Sequence, residues 1–155
     1  MQKKFLGICC QYRIIVFISH RNQDLIMDKV KFTIEYPMKS VPVALLWTYL
    51  STPSGLKYWF CDTVKQEGKH YTFGWSGSEQ EAMLVAMRTY SYMRFHWIDE
   101  NDKSYFELRI EVSELTDSTD LVITDYSLPE ELEESRDVWN NQVEALQRQL
   151  GCVAD

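Results

Sequence analysis

The chain has few of the features that mark a disulfide-built domain or an enzyme of a familiar type. Only four of its 155 residues are cysteine, none form a Cys-x-x-C pair, and no spacing resembles a zinc site. It has no glycine-rich phosphate loop, no nucleophile elbow and no His-x-x-x-His pair. We therefore expect no metal and no cofactor. The absences weaken an enzyme hypothesis, and unpaired thiols predict a reducing, cytoplasmic location.

Basic residues are also scarce and scattered. Sixteen lysines and arginines stand against 23 acidic residues, for a net charge of −7, so we expect no nucleic-acid surface. Residues 1–26 contain apolar patches that invite a membrane-anchor interpretation. Gln11, Tyr12 and Arg13 interrupt them, which leaves the run too short and too polar to span a bilayer. Because Met27 is a plausible natural start, we expect residues 1–26 to be a non-native or disordered extension and residues 27–155 to form a single domain.

The last long segment, residues 129–150, has the pattern of an amphipathic helix. Pro129 opens it, acidic residues fill its first turn, and Gly151 closes it. Its apolar residues recur at spacings of seven, four, three and four and form one stripe: Leu132, Trp139, Val143, Leu146 and Leu150. A lone helix of this kind must bury its stripe against another element, and the preceding strands are the available partner.

The rest of the chain predicts one strand, two short helices and six further strands before that helix. Lys29–Tyr36 alternates apolar and polar residues, as a half-buried strand does. Glu79–Thr89 is ambiguous, because its central run Ala82–Met87 is rich in helix formers and propensity alone favours a helix. We predict a strand there, since a hairpin precedes it and Tyr92–Ile98 alternates after it.

This element order resembles the helix-grip fold of the START-like superfamily, also called Bet v 1-like or SRPBCC. Residues 41–60, VPVALLWTYLSTPSGLKYWF, resemble the early helical pair of that family, and residues 137–151, DVWNNQVEALQRQLG, resemble its closing helix. The segments YMRFHWIDE and YFELRIEV resemble its paired central strands. The chain is most similar to the START-like domains related to the activator of the heat-shock-protein-90 ATPase.

The resemblance implies an α+β architecture, in which a long C-terminal helix packs across a curved antiparallel sheet of about seven strands with two short helices. It is specific for the fold and weak for function, because the matching motifs are packing motifs.

In such a fold, the side chains between the sheet and the closing helix would line any apolar pocket. The alternative is a filled core, since aromatic rings and methionines also fill space well. Our candidates for this face, and for ligand binding, are Phe73, Trp75, Met83, Val85, Met87, Phe95, Trp97, Phe106, Leu108, Trp139 and Val143.

Ionisable residues near these strands have simpler interpretations. His70 and His96 alternate opposite to the apolar residues of their strands, so we predict both on the outside. Cys61 has no identifiable neighbouring base and is interpreted as a small buried hydrophobe. Charged residues on consecutive strands predict a cross-strand ladder on the outer face, formed by Arg88, Arg94 and Arg109 with Glu107, Glu111 and Asp125.

Three functions are compatible with these observations. The first is a non-catalytic domain that binds a hydrophobic small molecule or lipid in a cavity between the sheet and the C-terminal helix. The second is a protein-interaction module, like the chaperone-activator domains that the chain resembles, without a ligand. The third is a small cyclase or hydrolase with scattered cavity residues, which requires a buried histidine or aspartate.

Overall fold

The computed structural model describes residues 28–152, which contain seven strands and three α-helices. The predicted extension, residues 1–26, lies outside the described residues. The strands are β1 Val30–Pro37, β2 Thr63–Glu67, β3 His70–Trp75, β4 Ser78–Arg88, β5 Tyr92–Trp97, β6 Phe106–Ser113 and β7 Ser118–Ser127. The helices are α1 Val43–Ser51, the single turn α2 Pro53–Leu56, and α3 Leu132–Gln149, which a 3-10 turn at Pro129–Glu131 precedes.

The seven strands form one antiparallel sheet in the order β1-β7-β6-β5-β4-β3-β2. The first and last strands of the chain are neighbours, with pairing that runs from Val30 opposite Ser127 to Pro37 opposite Asp120. The two short helices fill the connection from β1 to β2, and α3 follows β7. The α+β helix-grip architecture predicted from the element order is confirmed. No helix within residues 28–152 is long and apolar enough to cross a membrane.

The ambiguous segment is strand β4, as its neighbours in the sequence indicated. It pairs with β3 on one side and β5 on the other, so tertiary pairing outweighs its helical propensity. A β-bulge interrupts the strand, because pairing passes from Leu84 opposite Phe95 to Ala86 opposite Arg94 and leaves Val85 as an extra residue. Residues on either side of this bulge therefore do not follow one simple alternation.

Helix α3 covers one face of the sheet, which we call the inner face. Trp139, Gln142, Val143 and Leu146 are its buried residues. Gly151 ends it with a φ of +71°, in the left-handed conformation common after helix ends. Near its C-terminal end, the Gln147 Nε2 donates to the Pro37 carbonyl over 3.1 Å. The predicted stripe and the predicted C-terminal end are confirmed. The α-helix itself begins at Leu132, three residues later than predicted, because Pro129–Glu131 forms a 3-10 turn.

Helices α1 and α2 meet at a close backbone contact at Gly55. A Cβ atom at this position would lie 2.3 Å from the Thr48 carbonyl oxygen and 2.6 Å from the Tyr49 Cα. The Thr52 hydroxyl accepts a hydrogen bond from the Gly55 N–H over 3.0 Å and caps α2. Only glycine fits this approach, which directs the following aromatic residues toward the sheet.

The opposite, outer face of the sheet carries a charge network centred on Glu107. Its carboxylate accepts hydrogen bonds from Arg94 at 2.7 and 2.9 Å and from Arg109 at 2.8 Å. Burial alone would raise the pKa of Glu107, but the bonds from the two guanidinium groups outweigh it and hold the pKa below its usual range. Arg94 also lies 4.2 Å from the Tyr105 ring centroid. The predicted outer-face ladder therefore exists at Arg94, Glu107 and Arg109.

Substitution of Gly55 by alanine should destabilise the fold by about 1–3 kcal/mol, because the added methyl group collides with backbone atoms that cannot move aside. Urea unfolding followed by tryptophan fluorescence would measure the change. Gly68→Ala is the control, since its Cβ would meet nothing within 4 Å although its φ is +62°. A loss at Gly55 no larger than at Gly68 would contradict the close-contact interpretation.

Glu107→Gln should lower the free energy of unfolding at pH 7 by about 1–3 kcal/mol, in the lower part of that range because Arg94 and Arg109 are 35% and 31% exposed. Because the pKa of Glu107 is lower in the folded than in the unfolded protein, its carboxylate adds to the free energy of unfolding at pH values above its unfolded-state pKa of about 4.3. This contribution is lost as the pH falls through the folded-state pKa. Urea titrations between pH 7 and pH 3 should therefore show the two proteins converging in acid. Glu79→Gln removes a carboxylate from an exposed position of β4 and controls for net charge.

Candidate functional site

Aromatic side chains dominate the inner face beneath α3. Phe95 and Phe106 stack with their ring centroids 5.0 Å apart, and Phe106 lies 6.0 Å from Trp139 of the helix. Eight of the residues proposed for this face are at most 4% exposed: Phe73, Trp75, Phe95, Trp97, Phe106, Leu108, Trp139 and Val143. Their position between sheet and helix is as predicted, while their role in ligand binding stays a prediction.

The other three candidates are not buried beneath α3. Met83 lies opposite His96 on the outer face and is 37% exposed, and Val85 at the bulge is 52% exposed. Met87 pairs with the buried Met93 after the bulge, but it lies near the end of β4 and is 52% exposed. The inner positions of this strand are instead Gln80, Ala82 and Leu84. Because residues 82–87 are all apolar, the sequence does not show which of them face inward. The bulge at Val85 then changes which positions of the strand face inward.

Phe60 and Tyr71 are among the buried aromatic residues that the candidates omitted. Phe60 follows α2 and contacts rings from three elements, with centroids 4.9 Å from Phe73, 5.5 Å from Phe106 and 5.8 Å from Trp139. No periodicity marks it, since it lies outside any strand or helix. Tyr71 could have been found, because it alternates with Phe73 and Trp75 along β3. Burial raises the pKa of the Tyr71 hydroxyl.

Asp125 is a carboxylate in this apolar environment. Its Oδ2 accepts a hydrogen bond from the Trp139 Nε1 over 2.8 Å, and its Oδ1 accepts one from the Tyr126 backbone N–H over 2.7 Å. The prediction that Asp125 belongs to the outer ladder was wrong. It shares the parity of Leu121 and Ile123 along β7, all buried, and that alternation is a signal that could have revealed it.

The Phe60 carbonyl oxygen joins three elements. It accepts the Trp75 Nε1–H over 2.7 Å from β3 and the Gln142 Nε2–H over 3.1 Å from α3. Gln142 is 4% exposed, so a polar side chain of the helix is buried to make this contact. A second link is at the other side of α3, where the Tyr36 hydroxyl donates to the Asn140 Oδ1 over 2.6 Å.

Gln80 is a further buried polar residue of the inner face, and it lies opposite Phe73 in the β3–β4 pair. It is 5% exposed. Its Nε2 lies 3.4 and 3.5 Å from the two carboxylate oxygens of Asp99. Its Oε1 has no hydrogen-bond partner among the described residues, which is an uncommon state for a buried acceptor.

The histidines and Cys61 lie where the sequence placed them. His70 is on the outer face, near Glu81 at 3.4 Å, and His96 has its ring nitrogens 2.6 and 3.1 Å from the Ser104 and Glu100 carbonyl oxygens. Cys61 is buried, and burial raises the pKa of its thiol to about 12, with a further increase from Asp62. The thiol is therefore not a nucleophile near neutral pH.

The inner face is built mainly from aromatic side chains. The described part of the chain places no histidine on the inner face, since His70 and His96 lie on the outer side. Within residues 28–152, no group of three or more His, Cys, Asp or Glu side chains is positioned to hold a metal ion. The inner face consists mainly of aromatic side chains with a few buried polar groups. This composition is typical both of small-molecule sites and of close-packed cores.

Several solved structures resemble this fold. A protein from Bacteroides fragilis, determined by NMR, is 37% identical, with a TM-score of 0.59 over 83% of this chain and 96% of that one. The Aha1 dimer from Colwellia psychrerythraea is 14% identical, with a TM-score of 0.65 over 78% of this chain and 96% of that one. An AHSA1-like protein from Aeromonas hydrophila is 11% identical, with a TM-score of 0.63 over 81% and 97%. The last two likenesses concern the fold alone.

Among curated proteins, none matches the sequence significantly. A family model does, however, and it covers all of the described residues. The START-like superfamily domain matches residues 26–152, which include the whole sheet and all three helices. The chain therefore belongs to the START-like superfamily.

Proposed function

We propose that this protein is a non-catalytic START-like domain that binds a hydrophobic, ring-containing small molecule between the inner sheet face and α3. The observation that carries the proposal is the composition of that face. Rings from β3, β5, β6, α3 and the segment after α2 are concentrated under a single helix, with buried polar groups among them. Aromatic surface gives a ring-containing ligand dispersion contacts and offset stacking.

Helix α3 is the element that would open to admit the ligand. Its buried residues begin at Trp139, and its first two turns are half-buried or exposed. Its N-terminus has no side-chain cap, while its C-terminal half is fixed by hydrogen bonds to Phe60 and Pro37. Because the N-terminal end of α3 makes fewer contacts than its C-terminal half, we expect that end to open locally at a lower free-energy cost. A ligand that entered there would leave the C-terminal half of the helix in place.

The geometry at Asp125 supports a non-catalytic role. A hydrolase would use Asp125 as its buried acid or base, yet Trp139 and the Tyr126 backbone already donate to both of its oxygens. These contacts are those of a structural carboxylate that holds α3 in position on the sheet. The buried free thiols of Cys61 and Cys152 fit a reducing compartment such as the cytoplasm.

Ala82→Leu should weaken binding of the neutral fluorescent probe N-phenyl-1-naphthylamine by about tenfold or more, because it adds volume to the inner face opposite Trp97. Ala86→Leu is the matched control, since it makes the same change in the same strand opposite Arg94 on the outer face. Probe fluorescence would measure binding, and thermal unfolding would confirm that both variants fold.

Native mass spectrometry of the freshly purified wild-type protein complements this titration. We expect a retained compound in the mass range of a small aromatic molecule or lipid. Wild-type protein that carries no compound and binds no probe would overturn the proposal and favour a filled core.

A further inference from the structure

We infer that the carboxamide oxygen of Gln80 is the polar anchor of the ligand site, and that it selects apolar molecules carrying a hydrogen-bond donor such as an alcohol, phenol or N–H group. The inference rests on the proposed function, since it requires that the inner face bind a small molecule. It adds the chemical class of that molecule and the residue that recognises it.

Gln80 lies beside the aromatic rings of the inner face. Its register partner Phe73 is fully buried, and Phe73 lies 6.1 Å from Trp75 and 5.9 Å from Trp97, measured between ring centroids. Trp75 and Trp97 are themselves 6.2 Å apart. Gln80 therefore places its amide on the same face as three aromatic rings, at the β3–β4–β5 part of the sheet.

Asp99 determines the orientation of the Gln80 amide. The two ends of a glutamine amide differ in sign, and only the NH2 end is attracted by a carboxylate. Asp99 faces the Nε2 with both of its oxygens at 3.4 and 3.5 Å. A flipped amide would instead point its oxygen at that negative charge, so Asp99 fixes Oε1 as the end that is left without a partner among the described residues.

The Gln80 Oε1 requires a hydrogen-bond donor as its partner. An amide oxygen accepts hydrogen bonds and does not donate them. A buried acceptor without a partner is costly, and a donor that arrives with a ligand removes that cost while making a new bond. The same oxygen repels a ketone, ether or carboxylate oxygen. The site is therefore expected to prefer a donor-bearing ligand over an equally apolar ligand without one.

Two other polar side chains of the inner face are already engaged. Asp125 accepts the Trp139 indole N–H, and the Gln142 amide donates to the Phe60 carbonyl. Both contacts join the helix to the structure beneath it and serve packing. Gln80 differs from them because its side chain contacts Asp99 through the amide nitrogen, while its amide oxygen has no hydrogen-bond partner among the described residues.

The test uses two probes of nearly equal size, 2-naphthol and 2-methoxynaphthalene, of which only the first carries an O–H donor. Isothermal titration of the wild-type protein should show 2-naphthol binding about ten- to a hundredfold more tightly. Gln80→Met keeps the length of the side chain but removes the acceptor, so it should bind both probes with similar affinity. Gln66→Met, at an exposed position of β2, is the matched control and should keep the preference.

Asp99→Asn gives a second variant that does not depend on Gln80→Met folding. It removes the negative charge that orients the amide, so the preference for 2-naphthol should fall by at least threefold. A wild-type protein that binds both probes equally would overturn the role of Gln80 and leave the proposed function standing. Binding of neither probe would overturn the proposed function itself. A Gln80→Met protein that folds and still prefers 2-naphthol would assign the donor's partner elsewhere and overturn the inference.

Discussion

The burial of one aromatic sheet face under one helix is the constraint on which the rest of the structure depends. Rings such as Phe73, Phe95 and Phe106 would face water if α3 were absent, and the stripe of α3 would be equally exposed without the sheet. Burial of a single large side chain is worth about 1.5–3 kcal/mol, so this interface dominates the apolar contribution to folding. The pairing of β1 with β7 serves the same end, because it fixes the strand from which α3 departs.

Apolar burial is not directional, and so it does not by itself fix where the helix lies along the sheet. Directional contacts supply that information. The Trp139 indole to Asp125, Gln142 to the Phe60 carbonyl and Tyr36 to Asn140 each join α3 to a different element at a defined point. All three side chains of α3 lie within residues 139–142, about one helical turn. They point to different elements, so together they set the rotation of the helix and its position on the sheet. The polar groups of the inner face are best understood as this alignment set, with Gln80 outside it.

The fold could be predicted from the sequence because its signals are local. Alternation in the strands, the apolar stripe of α3 and Gly151 at its end each depend on a few neighbouring residues, and their order has few solutions. The site was predicted less completely, for three physical reasons. In an apolar run such as Ala82–Met87, hydrophobicity does not distinguish the residues that face inward from those that face outward. The bulge at Val85 then changes which alternate positions face inward. Phe60 reaches the inner face through the path of the backbone at Gly55, which no periodicity records.

The third reason is that a polar residue can occupy an inner position of a strand, as Asp125 and Gln80 do. These two residues differ in how their hydrogen-bonding capacity is used. Both are polar residues at inner positions of their strands, so a pattern of hydrophobicity assigns them to the outer face by default. Burial of such groups is tolerated only when their hydrogen-bonding capacity is used. For Asp125 the helix itself supplies the donor through Trp139, which explains the residue by folding alone. For Gln80 the described structure supplies a partner to the amide nitrogen and none to the oxygen. The contacts that hold the fold together leave that oxygen unused, and this difference is the basis on which we infer a donor-bearing ligand.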